Sequence, residues 1–213
     1  GYTMLTLLCM QIGPWNPLRT DNGDGTVTQT FVSPPVHPKL QTYNPNNDRA
    51  ETPETGRPPY NDGLNNTGLG AAAYVADRAD GLDRVNVCNV SQGGQPWERY
   101  DPDDATPSLN TRLMVEGPAA LAAWGQSKFH WIDVALGEAN TPNTFGAEFN
   151  TSGAVANFEG LLALTRKVIR HWLSQDWIDD DCVITIWKHW TSDTRRAEAN
   201  RVWEVLATEF PNI

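Results

Sequence analysis

Ser91, His189 and Asp193 are the residue types of a nucleophilic triad. Such a set has a hydroxyl to attack, an imidazole to take its proton and a carboxylate to orient the ring. Ser91 stands in "NVSQGG", directly after an apolar run, and Gly93 and Gly94 come next. Paired glycines let backbone N–H groups come close to a developing oxyanion. The segment lacks the first glycine of a G-x-S-x-G elbow, so Ser91 reads equally as an ordinary residue at a strand-to-loop junction. A second chemistry is available at comparable places in the chain. Trp15, Trp97 and Trp190 fall just beyond apolar runs, where an indole face can stack on the C–H face of a sugar. Gln11, Asn16, Gln92, Glu138 and Asn140 lie in the same segments and carry the amides and carboxylate that bond hydroxyls. Glu138 also has a structural reading, as a cap on its turn.

No spacing of His, Cys, Asp or Glu matches a zinc or catalytic metal site, and no cofactor motif is present, so neither metal nor cofactor is expected. "TDNGDGTVTQTF" (residues 20–31) has the rhythm of a calcium loop. Thr20 and Phe31 occupy the places of its first Asp and last Glu. A tight turn leading into an alternating strand is the better reading. Cys9, Cys88 and Cys182 each sit in or beside an apolar run and read as buried free thiols. His130 and His171 fall in a strand and a helix and read as structural.

These residues must be positioned by four apolar runs of strand length: Thr3–Cys9, Val85–Val90, Phe129–Leu136 and Val183–Trp187. Near-continuous apolar character is the pattern of strands buried on both faces of a parallel sheet. Helical patterns alternate with them. Gly68–Gly81 is Ala-rich and stops at a glycine. Thr111–Gly125 contains Pro118, which is expected to break or kink it. Asn157–Leu173 places Phe158, Leu161, Leu162, Val168, Ile169 and Trp172 on one face. Ser192–Phe210 begins with cap residues and turns Val202, Val205 and Leu206 inward. Trp124, Trp131, Trp172 and Trp203 fall on these elements and read as core. The alternation predicts a parallel α/β fold. Residues 14–67 hold nine of the fifteen prolines and little periodicity. They read as an irregular lobe over the strand ends.

The 213 residues suit one domain, 1–213. A net charge of −10 argues against a phosphate-tracking nucleic-acid binder and an anionic membrane surface. No run has the length of a membrane span, and "TMLTLLCM" is too short and lacks the basic flank of a leader.

In this order the pieces resemble the SGNH/GDSL hydrolase superfamily, most of all its sialate O-acetylesterase-like branch of carbohydrate esterases. "VNVCNVSQGGQPWERY" is similar to the family's second block and "FHWIDVALGEANT" to its third. The resemblance implies a three-layer α/β/α fold with a parallel flavodoxin-like sheet, and with the near-continuous apolar runs it implies that Thr3–Cys9 is central, flanked by Val85–Val90 and Phe129–Leu136. It also implies a "GQSN" nucleophile turn after the first strand. Here that turn is "MQIG": Gln11 is kept, Ile12 stands at the nucleophile position and Gly13 at the Asn position. An isoleucine can neither attack an acyl carbon nor donate a proton. Leu136 stands where the family has Gln, Asn140 where it has an acidic residue, and no Asp-x-x-His occurs. The chain stops at "EFPNI", where the family has a further strand, which is compatible with a domain excised from or truncated within a larger protein.

Three functions are compatible with these features. The first is a catalytically degenerate domain that recognises glycan, or serves as a surface appendage of a larger assembly such as a phage particle. Polysaccharide and neighbouring protein subunits would be its partners, at an extracellular or virion surface. The second is an active carbohydrate O-acetylesterase using Ser91 or residues outside this chain. The third is a purely architectural domain.

Overall fold

The structure is a computed structural model. It describes residues 4–10, 18–21, 27–30, 40–44, 49–51, 75–90, 96–104, 108–136, 140, 158–188 and 194–213. Eight strands are present among them: β1 (Met4–Met10), β2 (Leu18–Asp21), β3 (Val27–Thr30), β4 (Leu40–Asn44), β5 (Arg49–Glu51), β6 (Arg84–Asn89), β7 (Phe129–Val134) and β8 (Ile178–Ile186). A helical segment at residues 75–78 (α1) precedes α2 (Leu109–Trp124), α3 (Phe158–Leu173) and α4 (Thr194–Glu209).

The main sheet has the order β5-β4-β6-β1-β7-β8. Its β4-β6, β6-β1, β1-β7 and β7-β8 pairs are parallel, and only the edge pair β4-β5 is antiparallel. The fold is therefore α/β, and β1 lies between β6 and β7, the order expected for it. The registers Cys9↔Asn89 and Cys9↔Asp133 bring the ends of three strands level.

The 14–67 region departs from its reading as an irregular lobe. Four short strands lie within it. β2 and β3 form an antiparallel pair, which agrees with a turn and alternating strand at 20–31. β4 and β5 extend the main sheet. Short strands such as "LQTYN" and "RAE" carry no apolar periodicity, so residue pattern alone does not announce them.

Alternation along the strands separates two buried clusters. Val85 and Val87 pack with Ala76 and Leu82, and with half-buried Trp131. Cys88 and Ile132 instead join the larger cluster, which includes Leu113, Leu161, Ile169, Trp172, Val202 and Leu206 from α2, α3 and α4. Helix α3 shows the expected inward face, with Phe158 half-buried at its start. In α4 the inward residues Val202 and Leu206 are joined by Ala199 and Trp203.

Helix α2 is capped by Ser108, whose side chain accepts from the Thr111 N–H, and it ends at Gly125 in the left-handed region. That φ of 66° suits glycine. Pro118 does not break it: the helix runs on for six residues beyond. The neighbouring Gly117 lies against the Trp177 ring, where an added Cβ would come within 3.4 Å. Packing of Phe129 against both Trp124 and Trp177 holds this part of the helix despite the missing N–H.

Strand β8 begins five residues earlier than its apolar run suggests. Phe129 pairs with Ile178 and Trp131 with Val183, so the three aspartates between are accommodated as a bulge. The Asp181 N–H donates to the Asp179 carboxylate at 2.9 Å, a local side-chain turn that stabilises the bulge.

Candidate functional site

In an open parallel sheet, ligands gather beyond the C-terminal ends of the strands, at the place where the order reverses about the first strand. Here that place is the end of β1, between β6 and β7. Residues 96–104, which follow β6 in the chain, are tied back to it. The Tyr100 hydroxyl donates to the Val90 carbonyl at 2.7 Å, within a single 3-10 turn at Trp97–Tyr100. The Trp97 N–H donates to Asn140 Oδ1 at 2.9 Å, and Asn140 Nδ2 donates to Glu98 Oε2 at 2.7 Å. One buried amide thus ties the segments after β6 and β7 together.

The Trp97 ring lies inside the protein. It stacks on Trp172 at 5.7 Å and tilts against Trp203 at 5.5 Å, while Tyr100 meets Trp172 edge-on. Trp97 is 0% exposed. This corrects its assignment as a ligand-stacking residue: a large apolar ring beyond β6 is drawn under α3 and α4, where it gains more by burial than by waiting for a ligand. Asn140 is corrected too. It is buried, and both ends of its amide are committed to Trp97 and Glu98, so it positions the site and does not touch a ligand.

A second polar cluster sits at the ends of β7 and β8. The Asp133 carboxylate is fully buried. Its Oδ1 accepts from the Thr185 hydroxyl and from Trp187 Nε1, the latter at 2.8 Å. Thr185 Oγ1 in turn accepts from Trp131 Nε1 at 3.0 Å. Burial pushes the Asp133 pKa above the ordinary carboxylate value, and the two donated bonds oppose that shift. The Trp187 N–H donates to the Val134 carbonyl at 2.9 Å, carrying the ladder one residue past β8. Trp187 itself is 46% exposed. The pattern was open to reading: "FHWIDVAL" has one carboxylate in an otherwise apolar strand, and such a group needs partners. Trp187 was not singled out, because it falls on the last position of the apolar run Val183–Trp187 and not in the loop beyond it.

At the other end of the sheet His130 Nδ1 lies 2.7 Å from Thr6 Oγ1. Burial lowers its pKa and Asp179 partly opposes this. That is a structural setting, as expected. His171 is half-buried on α3, with its pKa lowered first by burial. Cys88 and Cys182 are free and buried, as expected.

Gln11, Ile12, Trp15, Asn16, Ser91, Gln92, Gly93, Gly94, Glu138, His189, Trp190 and Asp193 lie outside the described residues. Their parent strands β1, β6, β7 and β8 are consecutive neighbours in the sheet. Among the described residues no group of three or more His, Cys, Asp or Glu could hold a metal ion. Among them, too, no helix is long and apolar enough to cross a membrane.

No family model matches this chain, and no curated protein does. Among solved structures it is similar to the crystal structure of a protein from Arabidopsis thaliana. The two are 12% identical, with a TM-score of 0.59 over 94% of this chain and 79% of that one. At that identity the likeness is one of fold.

Proposed function

We propose that this is a glycan-recognition domain on an SGNH-hydrolase-like frame that has lost the serine mechanism. The frame is a three-layer α/β/α arrangement with a flavodoxin-like sheet. Two features support that architecture: the order of β6, β1, β7 and β8, and the two buried clusters on opposite strand faces. One observation carries the functional reading. β1 is the central strand of the site, and the residue two positions past its end is Ile12. The position from which a hydrolase of this kind would present its nucleophile bears a side chain with no lone pair and no proton to exchange. What remains is a strand-end surface, suited to holding a polysaccharide, at a cell or virion surface or within a larger protein assembly.

Acetate release from p-nitrophenyl acetate and from acetylated xylan tests the loss of catalysis. The expected rate is close to the buffer rate. Turnover comparable to a working esterase, abolished by Ser91→Ala, would establish the esterase reading instead. The burial of Trp97 favours a second reading, a purely architectural domain, because a ring expected at the site serves the core. Retention on immobilised polysaccharide separates the two: an architectural domain passes through.

A further inference from the structure

The outward face of β8 carries an aromatic surface that the sequence motifs do not include. Val183 and Trp187 are two of the three large hydrophobic residues that are exposed among the described residues; they are 49% and 46% exposed. They are four residues apart on one strand, so they share a face, with Thr185 between them. Ile184 points the opposite way, into the core.

The geometry points to this face as the sugar-stacking platform, with Trp187 as the contact residue and Asp133 as the residue that positions it. The ligand class is a neutral polysaccharide. This rests on the glycan-recognition reading above and gives it a location. An indole has a single hydrogen-bond donor. Trp187 spends that donor inward on Asp133, and its backbone is fixed by the bond to Val134. With that donor spent, the half-exposed ring has only apolar C–H stacking to offer a partner. Thr185 and Trp131 complete the chain of donors behind it, so the ring plane is set before any ligand arrives.

Size decides against a protein partner. A stable protein interface covers roughly 800 Å² on each side. Two half-exposed side chains fall far short of that, but they match one or two pyranose rings. Charge decides against an anionic ligand. The chain carries −10, and Lys188, the cation beside Trp187, is paired with Glu204.

The test is titration of the intact protein with xylohexaose, cellohexaose and N-acetylglucosamine hexamer, alongside a galacturonate hexamer as the anionic comparison. Indole N–H signals are followed by NMR. A neutral hexasaccharide is expected to shift the Trp187 indole signal and leave those of Trp97 and Trp172 in place. Trp187→Ala should weaken that binding about tenfold with an unchanged circular dichroism spectrum. Without ligand, Asp133→Asn keeps an acceptor and should keep the Trp187 indole signal, whereas Asp133→Leu should move it and speed its exchange. If a neutral hexamer binds Trp187→Ala as it binds the parent, the platform is wrong and glycan recognition stands elsewhere on the molecule. If no neutral hexamer binds at millimolar concentration, both readings fall. Preference for the galacturonate hexamer would overturn the ligand class.

Discussion

The Trp97 backbone N–H reaches across 43 residues of chain to Asn140 Oδ1, 2.9 Å away. Asn140 returns the connection through Glu98, so two segments that leave the strands on either side of β1 are locked by one side chain. Asn140→Ala removes an acceptor from a buried N–H and a donor from a carboxylate. Leaving a buried polar group unsatisfied costs about 1–3 kcal/mol, so urea unfolding should show a loss of about 2 kcal/mol with an unchanged m-value. Asn140→Asp should not restore it, because the new carboxylate would face Glu98. A stability equal to the parent in either variant would show that the tie is not formed in solution.

Cysteine chemistry should be silent in the folded protein. Burial pushes the Cys182 thiol up to about 12, with Asp179 adding to the shift. Cys88 is pushed higher still by burial and Glu116. At pH 8 the thiolate fraction of Cys182 is then on the order of one in ten thousand, and the thiolate is the reactive form. Iodoacetamide at pH 8, followed by peptide mass spectrometry, should label Cys88 and Cys182 only at the rate of unfolding. Labelling within minutes under native conditions would contradict their burial.

His130 makes a definite contribution to the acid side of the stability profile. Its folded pKa is lowered below the ordinary 6.5, chiefly by burial. The unfolded chain therefore binds the proton more readily than the folded one. The sign is then fixed: this part of the stability is complete above about pH 6.5 and is lost as pH falls through that value toward the folded pKa. NMR titration should place the His130 ring below 6.5. His130→Gln should lose less stability than the parent between pH 7 and pH 5. A ring that titrates above 6.5 would mean that Asp179 outweighs burial.

The parts of the fold that were legible are those in which one physical demand dominated the sequence. β6 and β7 are apolar because they are covered on both faces, and α3 repeats its inward residues because one face meets the sheet. The central place of β1 came from the family resemblance, because an apolar run marks a buried strand and not its place in the order. Where demands competed, reading failed. Pro118 signals a helix break locally, but Phe129, Trp124 and Trp177 pack that part of α2 regardless. The Asp179–Asp181 run hides the start of β8, because a bulge lets the acids stay out of the ladder. The site was the least legible. Trp97 and Trp187 have the same side chain and both fall near a strand end. One has α3 and α4 to pack under, and the other has only the outward face of an edge strand. That difference is set by neighbours distant in the chain, which local spacing does not encode.

Trp97 supplies the sharpest check on that distinction. As an exposed ligand contact, Trp97→Ala would leave stability untouched. Buried between Trp172 and Trp203, its truncation opens a cavity and forfeits two ring contacts. Large aromatic-to-alanine changes in a core cost about 3–5 kcal/mol, so the variant should unfold at markedly lower urea or fail to accumulate. Trp97→Phe separates ring packing from the rest. The Trp97 indole N–H is buried without a hydrogen-bond partner, and phenylalanine has no such donor to leave unsatisfied. Its smaller ring loses some contact but also removes that penalty, so a net change within about 1 kcal/mol is expected. The expected order is parent and Trp97→Phe close together, with Trp97→Ala far below both. If Trp97→Ala unfolds at the same urea concentration as the parent, Trp97 is not the centre of the aromatic cluster, and it returns as a candidate for the surface that meets ligand.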